Sequence, residues 1–232
     1  VRKYAPGQAR ITYEQNLALR WVREGALYDV WKALKAVHLA EPEAHTITDI
    51  VACPATDSCK LGITSSMGLA GALRESFRSY NGLMEDPLVK KVHIKVSGCP
   101  NGCGRHHNAN IGFQGATVKG PGGQQAPAFE VFLGGNYEGG EVRYGRRLPG
   151  VKVPAKRVPE AVRAFLELYK ANRQESEEFN AFVDRVGLQP FAEIAGRLRE
   201  IGPLNRENIG LYMDWGKTVL YKLERGEGEC AV

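Results

Sequence analysis

In the stretch Val89–Gly104, VKKVHIKVSGCPNGCG, apolar and polar residues alternate as far as Val96, and two cysteines follow at once. Alternation of this kind reads as a β-strand over Val89–Val96 that runs straight into a ligand loop. Glycines on both sides of Cys99 and Cys103 let the backbone take left-handed conformations and wrap a bound group. A second pair stands upstream in CPATDSC, where Cys53 and Cys59 have five residues between them against three between Cys99 and Cys103. Four thiolates of this kind point to a metal group rather than to disulfides. Zinc ribbons and knuckles favour two residues between paired cysteines, which neither pair has. Four cysteines are also the shell of a 4Fe-4S cube, which accepts wider and uneven loops. The cube is therefore the leading reading, with zinc and four structural cysteines as alternatives.

Outward from the cysteines, the chain reads as alternating short strands and helices. Arg10–Arg20, RITYEQNLALR, suits a strand pair or a bent strand. Leu27, Val30, Trp31, Leu34 and Val37 recur at helical spacing. Glu41–His45, with Pro42 inside, reads as a linker and a boundary. Ile47–Val51 is a short apolar run leading into the first cysteine loop, which Pro54 and Asp57 keep out of a helix. Beyond Cys59, Leu61, Met67, Leu69, Ala70, Leu73 and Phe77 form a loose helical stripe. Its glycines, Gly62, Gly68 and Gly71, suit close packing against a large cofactor or against another helix. Asn110–Lys119 and Phe129–Leu133 read as strands around the turn GPGG at Gly120–Gly123. Pro159–Ala171 is an amphipathic helix with proline in its first turn. Glu178–Val186 and Pro190–Ile201 read as further helices, and the last thirty or so residues as an extended tail packed on the body.

The 232 residues suffice for one large or two small domains. No apolar run approaches the roughly 20 residues of a membrane span. The net charge of +5 is too mild to argue for nucleic acid, and no basic run is interleaved with stacking aromatics. A modest positive surface is compatible with an acidic protein partner. The opening VRKYAPGQ carries no signal-peptide pattern and starts at Val rather than Met, so a processed chain or an excised piece is expected. There is no G-x-G-x-x-G after a strand, hence no evident nicotinamide site, and electrons are expected from a partner.

Several blocks together resemble the siroheme-containing sulfite and nitrite reductases. VSGCPNGCGRHHNANIGFQG and ACPATDSCKLGITSSMGLA resemble that family's second and first cluster motifs, in order. ARITYEQNLAL resembles its siroheme-contacting strand. FEVFLGGN and VPEAVRAFLELYKANRQESEEFNAFVDRVG resemble a later strand and helices. The resemblance covers roughly Gln8–Phe191 and only the second of the family's two related halves. It implies an α+β fold: a partial ferredoxin-like unit over 1–45, a mixed α/β 4Fe-4S and siroheme domain over 46–189, and a helical tail over 190–232. It also implies a cytoplasmic reductase of sulfite or nitrite, with ferredoxin as an electron donor and an N-terminal half missing here that grips the substrate anion. The alternative is an iron–sulfur electron-transfer module without siroheme or catalysis.

The same resemblance implies roles for residues. Cys53, Cys59, Cys99 and Cys103 would ligate the cube, and Cys103 would also bridge to the siroheme iron, making it the catalytic residue. Siroheme carries many carboxylates, which call for donors. Arg10, Thr12, Gln15 and Asn16 are candidates, with Gln15 and Asn16 matching the family's QN pair. Asn101, Arg105 and Asn136 are further candidates, a salt bridge or a turn being the competing explanation for the last two. Lys60 either tunes cluster charge or faces solvent. Lys152, Lys156 and Lys170 either contact the donor or belong to a solvated face. Adjacent His106 and His107 on a strand or helix point to different sides and rarely chelate together, the alternatives being one histidine near the cofactor or none. His38, His45 and His93 lack ligand spacing, and Cys230 reads as a free thiol.

Overall fold

The structure, a computed structural model, describes residues 2–137 and 142–224. Cys230 lies outside the described residues. The chain divides into two compact units, the first comprising residues 1–45 and the second beginning at residue 46.

The first unit is a hairpin and a helix. Strands β1 (Ala9–Ile11) and β2 (Leu17–Leu19) pair antiparallel, with Ile11 opposite Leu17. The turn closes through Thr12: its N–H bonds to the Asn16 carbonyl at 2.8 Å, and its hydroxyl accepts the Asn16 N–H at 3.1 Å. Gln15 sits in that turn at φ 65°. Helix α1 (Leu27–Lys35) buries Val30 but leaves Leu27 and Trp31 exposed. Ile11, Leu17 and Trp21 are exposed as well, so the apolar stripe legible in the sequence is largely uncovered.

In the second unit, strand β3 (Val51–Ala52) precedes helix α2 (Ser66–Phe77), the single helical turn α3 (Pro87–Lys90) and strand β4 (Ile94–Ser97). The alternation expected as strand from Val89 therefore starts later. Asp86 caps α3 by accepting the Leu88 and Val89 N–H groups at 2.9 and 3.2 Å, and Pro87 suits the first helical position. Strands β5 (Ile111–Lys119) and β6 (Gln125–Leu133) form a long hairpin, followed by β7 (Arg146–Arg147) and β8 (Val153–Pro154). The sheet order is β3-β4-β5-β6-β7, with β8 also on β6. Pairs β3–β4 and β4–β5 are parallel and the rest antiparallel.

Helices α4 (Val158–Asn172), α5 (Phe179–Val186) and α6 (Gln189–Arg197) complete the unit. Leu69, Leu73 and Phe77 of α2 share one core with Ile94 and Val96 of β4, Phe113 of β5, and Phe165 and Phe191 of the later helices. Beyond α6 the described residues, to 224, are irregular apart from a 3-10 turn at Ile209–Tyr212, and Ile201 and Tyr212 pack with Ala126 of β6. The result is a mixed α+β fold.

Candidate functional site

Parallel strands cannot be joined by a tight turn; each connection needs a crossover. Here both crossovers carry a cysteine pair. The path from β3 to β4 begins with the Cys53–Cys59 loop, and the path from β4 to β5 begins with the Cys99–Cys103 loop. Val51 pairs with Lys95 and Ala52 with Val96. Both loops thus leave from neighbouring carboxyl ends of parallel strands, where open α/β sheets place their ligands.

The loops are tied at Gly98. Its N–H donates to Cys53 Sγ at 3.2 Å. Its carbonyl accepts the N–H groups of Ile63 and Thr64 at 2.8 and 3.1 Å. The Cys53 N–H bonds to the Val96 carbonyl at 3.2 Å, and the Cys59 N–H to that of Ala55 at 2.7 Å. A Cβ on Gly98 would run into Ala55 and the Thr64 carbonyl, and one on Gly62 into the Thr56 nitrogen. Only glycine permits this closeness. At the start of α2 the Ser66 hydroxyl donates to the Cys53 carbonyl and stands 3.3 Å from Cys53 Sγ.

None of the four loop cysteines is in a disulfide. Cys53 and Cys99 are buried, Cys59 is half-buried and Cys103 is exposed. Among the described residues no three Cys, His, Asp or Glu side chains converge on a single metal ion. A cube asks for something else, one thiolate at each iron, and so for ligands spread around a volume. The Thr56 hydroxyl oxygen, in the first loop, is buried without a hydrogen-bond partner. Buried polar atoms are rarely left so, and an unsatisfied one between Cys53 and Cys59 in the chain fits a bound group. The donor set and the glycine cradle suit a 4Fe-4S cluster.

Beyond Cys103 the backbone turns sharply. Arg105 adopts φ 57° and opens a 3-10 turn at His106–Asn108. His106 is fully buried, with Nδ1 2.8 Å from the Ser97 hydroxyl, which also accepts the Gly104 N–H at 3.1 Å. Burial, and secondarily the adjacent His107, push its pKa down to about 4, with Gln114 opposing. His106 is thus a neutral imidazole bracing the second loop, a role that the sequence did not reveal. The remaining candidates fall into two sets. Asn101, exposed, and Arg105, half-buried, share the second cysteine loop with Cys103, while half-buried Asn136 pairs its backbone with Arg143. Arg10, Thr12, Gln15 and Asn16 all lie in the first unit's hairpin, where Thr12 also holds the turn.

Among the atoms of the described residues, the glycines of α2 pack against no other helix of the second unit. Gly68 lies against Trp215 of the C-terminal tail, and Gly71 meets nothing nearby. The three lysines expected at a docking face all have intramolecular partners: Lys152 at the Thr117 carbonyl, Lys170 at that of Gly82, and Lys156 over the Trp215 ring at 3.9 Å. Lys60 is exposed beside Cys59.

A two-loop thiol site on the carboxyl edge of a mixed sheet defines a cluster-binding domain, and comparison places it. Residues 43–200 match the model described as the nitrite and sulphite reductase 4Fe-4S domain, and residues 1–37 match the nitrite/sulfite reductase ferredoxin-like half domain. The chain belongs to the nitrite and sulphite reductase family. It is 27% identical, over 81% of its length and 78% of the relative's, to an assimilatory-type sulfite reductase of Nitratidesulfovibrio vulgaris. It is 29% identical to the assimilatory ferredoxin-dependent nitrite reductase of Haloferax mediterranei, with 82% of this chain and 32% of the relative covered. The solved structure of the Mycobacterium tuberculosis NirA protein matches with a TM-score of 0.67 at 25% identity, over 79% of this chain and 33% of that one. The chain therefore spans most of the first relative but about a third of the other two.

Proposed function

We propose that this chain binds a 4Fe-4S cluster and siroheme and forms the cofactor-holding part of a six-electron reductase of sulfite or nitrite. The observation that carries this reading is the pair of free-thiol loops leaving adjacent strand ends and tied at Gly98. Cys53, Cys59, Cys99 and Cys103 would each hold one iron, with Cys103, the most exposed, shared with the siroheme iron. When bound, the two groups supply single-electron transfers at an iron that receives extra electron density from its thiolate. The chain's own part is to bind and orient. The Gly98 N–H, donating to the Cys53 sulfur, and the Ser66 hydroxyl, donating to the Cys53 carbonyl, fix the position of that thiol. Arg105 and Asn101, beside Cys103, together with Asn136, and Arg10, Thr12, Gln15 and Asn16 in the first unit, are the proposed donors to siroheme carboxylates.

An acidic ferredoxin is the proposed electron donor, which the mild positive charge supports. The free thiols support a reducing, cytoplasmic setting. No helix among the described residues is long and apolar enough to cross a membrane. The substrate-gripping residues are proposed to come from a second half. The uncovered Ile11, Leu17, Trp21, Leu27 and Trp31 support this, because a unit of 45 residues with so few buried side chains needs a partner surface. A second arrangement, in which a short chain completes the centre without that half, is favoured by the 78% coverage of the Nitratidesulfovibrio relative.

The test is an absorption spectrum of anaerobically purified protein with iron and sulfide analysis, followed by sulfite and nitrite turnover. Siroheme bands with more than about four irons per chain support the reductase. A cube without a macrocycle band would favour the electron-transfer alternative, and zinc without iron would overturn both.

A further inference from the structure

The run from Asp214 to Glu224 crosses the outside of the first cysteine loop. Asp214 is 4% exposed. Its Oδ2 accepts the Ser65 N–H at 2.8 Å, from a position 149 residues further along the chain, and its Oδ1 accepts the Trp215 N–H at 2.9 Å. Ser65 is the N-cap of α2, with its hydroxyl accepting the Gly68 N–H at 3.2 Å, and the next residue, Ser66, holds the Cys53 carbonyl. One buried carboxylate thus fixes the turn that grips the first ligand. Burial pushes the Asp214 carboxyl upward, against the hydrogen bonds from Ser65 and Trp215.

A second attachment lies near the end of the run. The Tyr221 hydroxyl donates to the Ile63 carbonyl at 2.7 Å, while the Ile63 N–H bonds to Gly98 at 2.8 Å. Ile63 is therefore held by the tail on one side and by the second cysteine loop on the other. Between the attachments, Trp215 donates its indole N–H to the Ala155 carbonyl at 3.0 Å and fills the space that a side chain at position 68 would need. A cavity of about 440 Å³ separates the run from Thr56, Cys59 and Lys60.

The outer part of this loop has few buried side chains to hold it. Asp57, Ser58 and Lys60 are exposed and Cys59 is half-buried. Segments with few buried apolar contacts open locally at low free energy, and a cluster leaves a protein when its ligand loop opens.

We propose that Asp214–Glu224 is a strap that positions the first cysteine loop, latched by Asp214 at one end and Tyr221 at the other, and that it sets the rate at which the cluster is lost. The proposal rests on the cluster reading above. Asp214 and Tyr221 are positioning residues, acting through Ser65 and Ile63.

The test uses the full chain, loaded anaerobically with iron and sulfide, and follows bleaching of the cluster band in excess ferrous chelator. Loss of the Tyr221 hydroxyl in Y221F removes one hydrogen bond, which predicts release roughly fivefold faster. D214A strips the Ser65 N–H of its buried acceptor, which predicts release roughly thirtyfold faster. D86N weakens a remote ion pair and serves as the control for general destabilisation; it should release at the wild-type rate. Wild-type rates in both strap variants overturn the proposal, as does equal acceleration in all three. If D214A does not fold, Y221F against D86N decides. Failure of the wild-type chain to take up a cluster is a separate outcome: it refutes the cluster reading and the strap's role together.

Discussion

Gly98 donates its backbone N–H to the Cys53 sulfur at 3.2 Å, so the residue just ahead of one cysteine pair holds the residue that opens the other. Two cysteine loops separated by α2, α3 and β4 become a single construction at this point. The same glycine accepts from Ile63 and Thr64, and its neighbours leave no room for a methyl group.

Gly98→Ala should therefore disturb both loops at once. Forcing a Cβ against Ala55 and the Thr64 carbonyl is expected to cost about 2 kcal/mol, or about 6 °C in Tm, and most of the bound iron. Iron analysis alongside a thermal melt checks this. Full iron at an unchanged Tm would show that the loops are joined elsewhere.

A second link braces the helical side of the unit. Arg173 meets Asp86 through two bonds of 2.8 and 2.7 Å, and the Asp86 side chain is 6% exposed. The Arg173 guanidinium, ahead of the bonds from Val89 and Leu88, holds the Asp86 carboxyl below its ordinary range despite burial. Asp86→Asn keeps the helix cap but loses the charge, at about 2 kcal/mol near neutral pH. A depressed carboxyl stabilises the fold above its unfolded pKa and stops doing so as pH falls through the folded one. Urea unfolding should thus separate the two proteins at neutral pH and bring them together at a pH below the ordinary carboxylate range. A constant gap at both pH values would rule out the ion pair as its source.

His106 gives the pH dependence of the cysteine side. Its pKa falls from 6.5 to about 4 in the folded chain. Between those values the unfolded chain binds the proton and the folded one does not, so acidification destabilises the fold, by at most about 3 kcal/mol. Stability contributed by the neutral imidazole is complete above pH 6.5 and declines toward about pH 4. Replacement by Phe, which cannot titrate, should flatten that part of the stability profile. A profile as steep as the wild type's would assign the dependence to other groups.

The parts of this fold set by neighbouring residues were legible in the sequence. The β5–β6 hairpin follows from alternation around GPGG, and α4 from its apolar stripe and early proline. The cysteine pairs stood out because chemistry constrains their spacing. What stayed hidden depends on distant partners. Nothing around Ser65 announces that its N–H will be capped by Asp214, and nothing around Gly68 announces Trp215. The helical turn at Pro87–Lys90 was obscured because its valine also fits the strand alternation that follows; the Asp86–Pro87 start signal decides the matter. Lys156 looked like a surface charge, yet its ammonium sits over the Trp215 indole ring at 3.9 Å.

The division of the chain into two units separates the two proposed cofactors in an experiment. Arg10, on β1 of the first unit, has no part in the cysteine loops, which lie wholly in the second. Arg10→Ala should therefore lower siroheme content severalfold, as expected for the loss of one charge-assisted contact, while leaving the iron and sulfide of the cube in place. Cys103→Ser should behave differently. It removes a proposed ligand from the exposed end of the second loop, so the coupled pair of cofactors should be lost together. Pyridine extraction for the macrocycle, with iron and sulfide analysis, reads both effects in the same samples. Unchanged siroheme in the Arg10 variant would remove the hairpin from the binding site. A normal siroheme spectrum in the Cys103 variant would leave the cube and macrocycle unbridged by this cysteine.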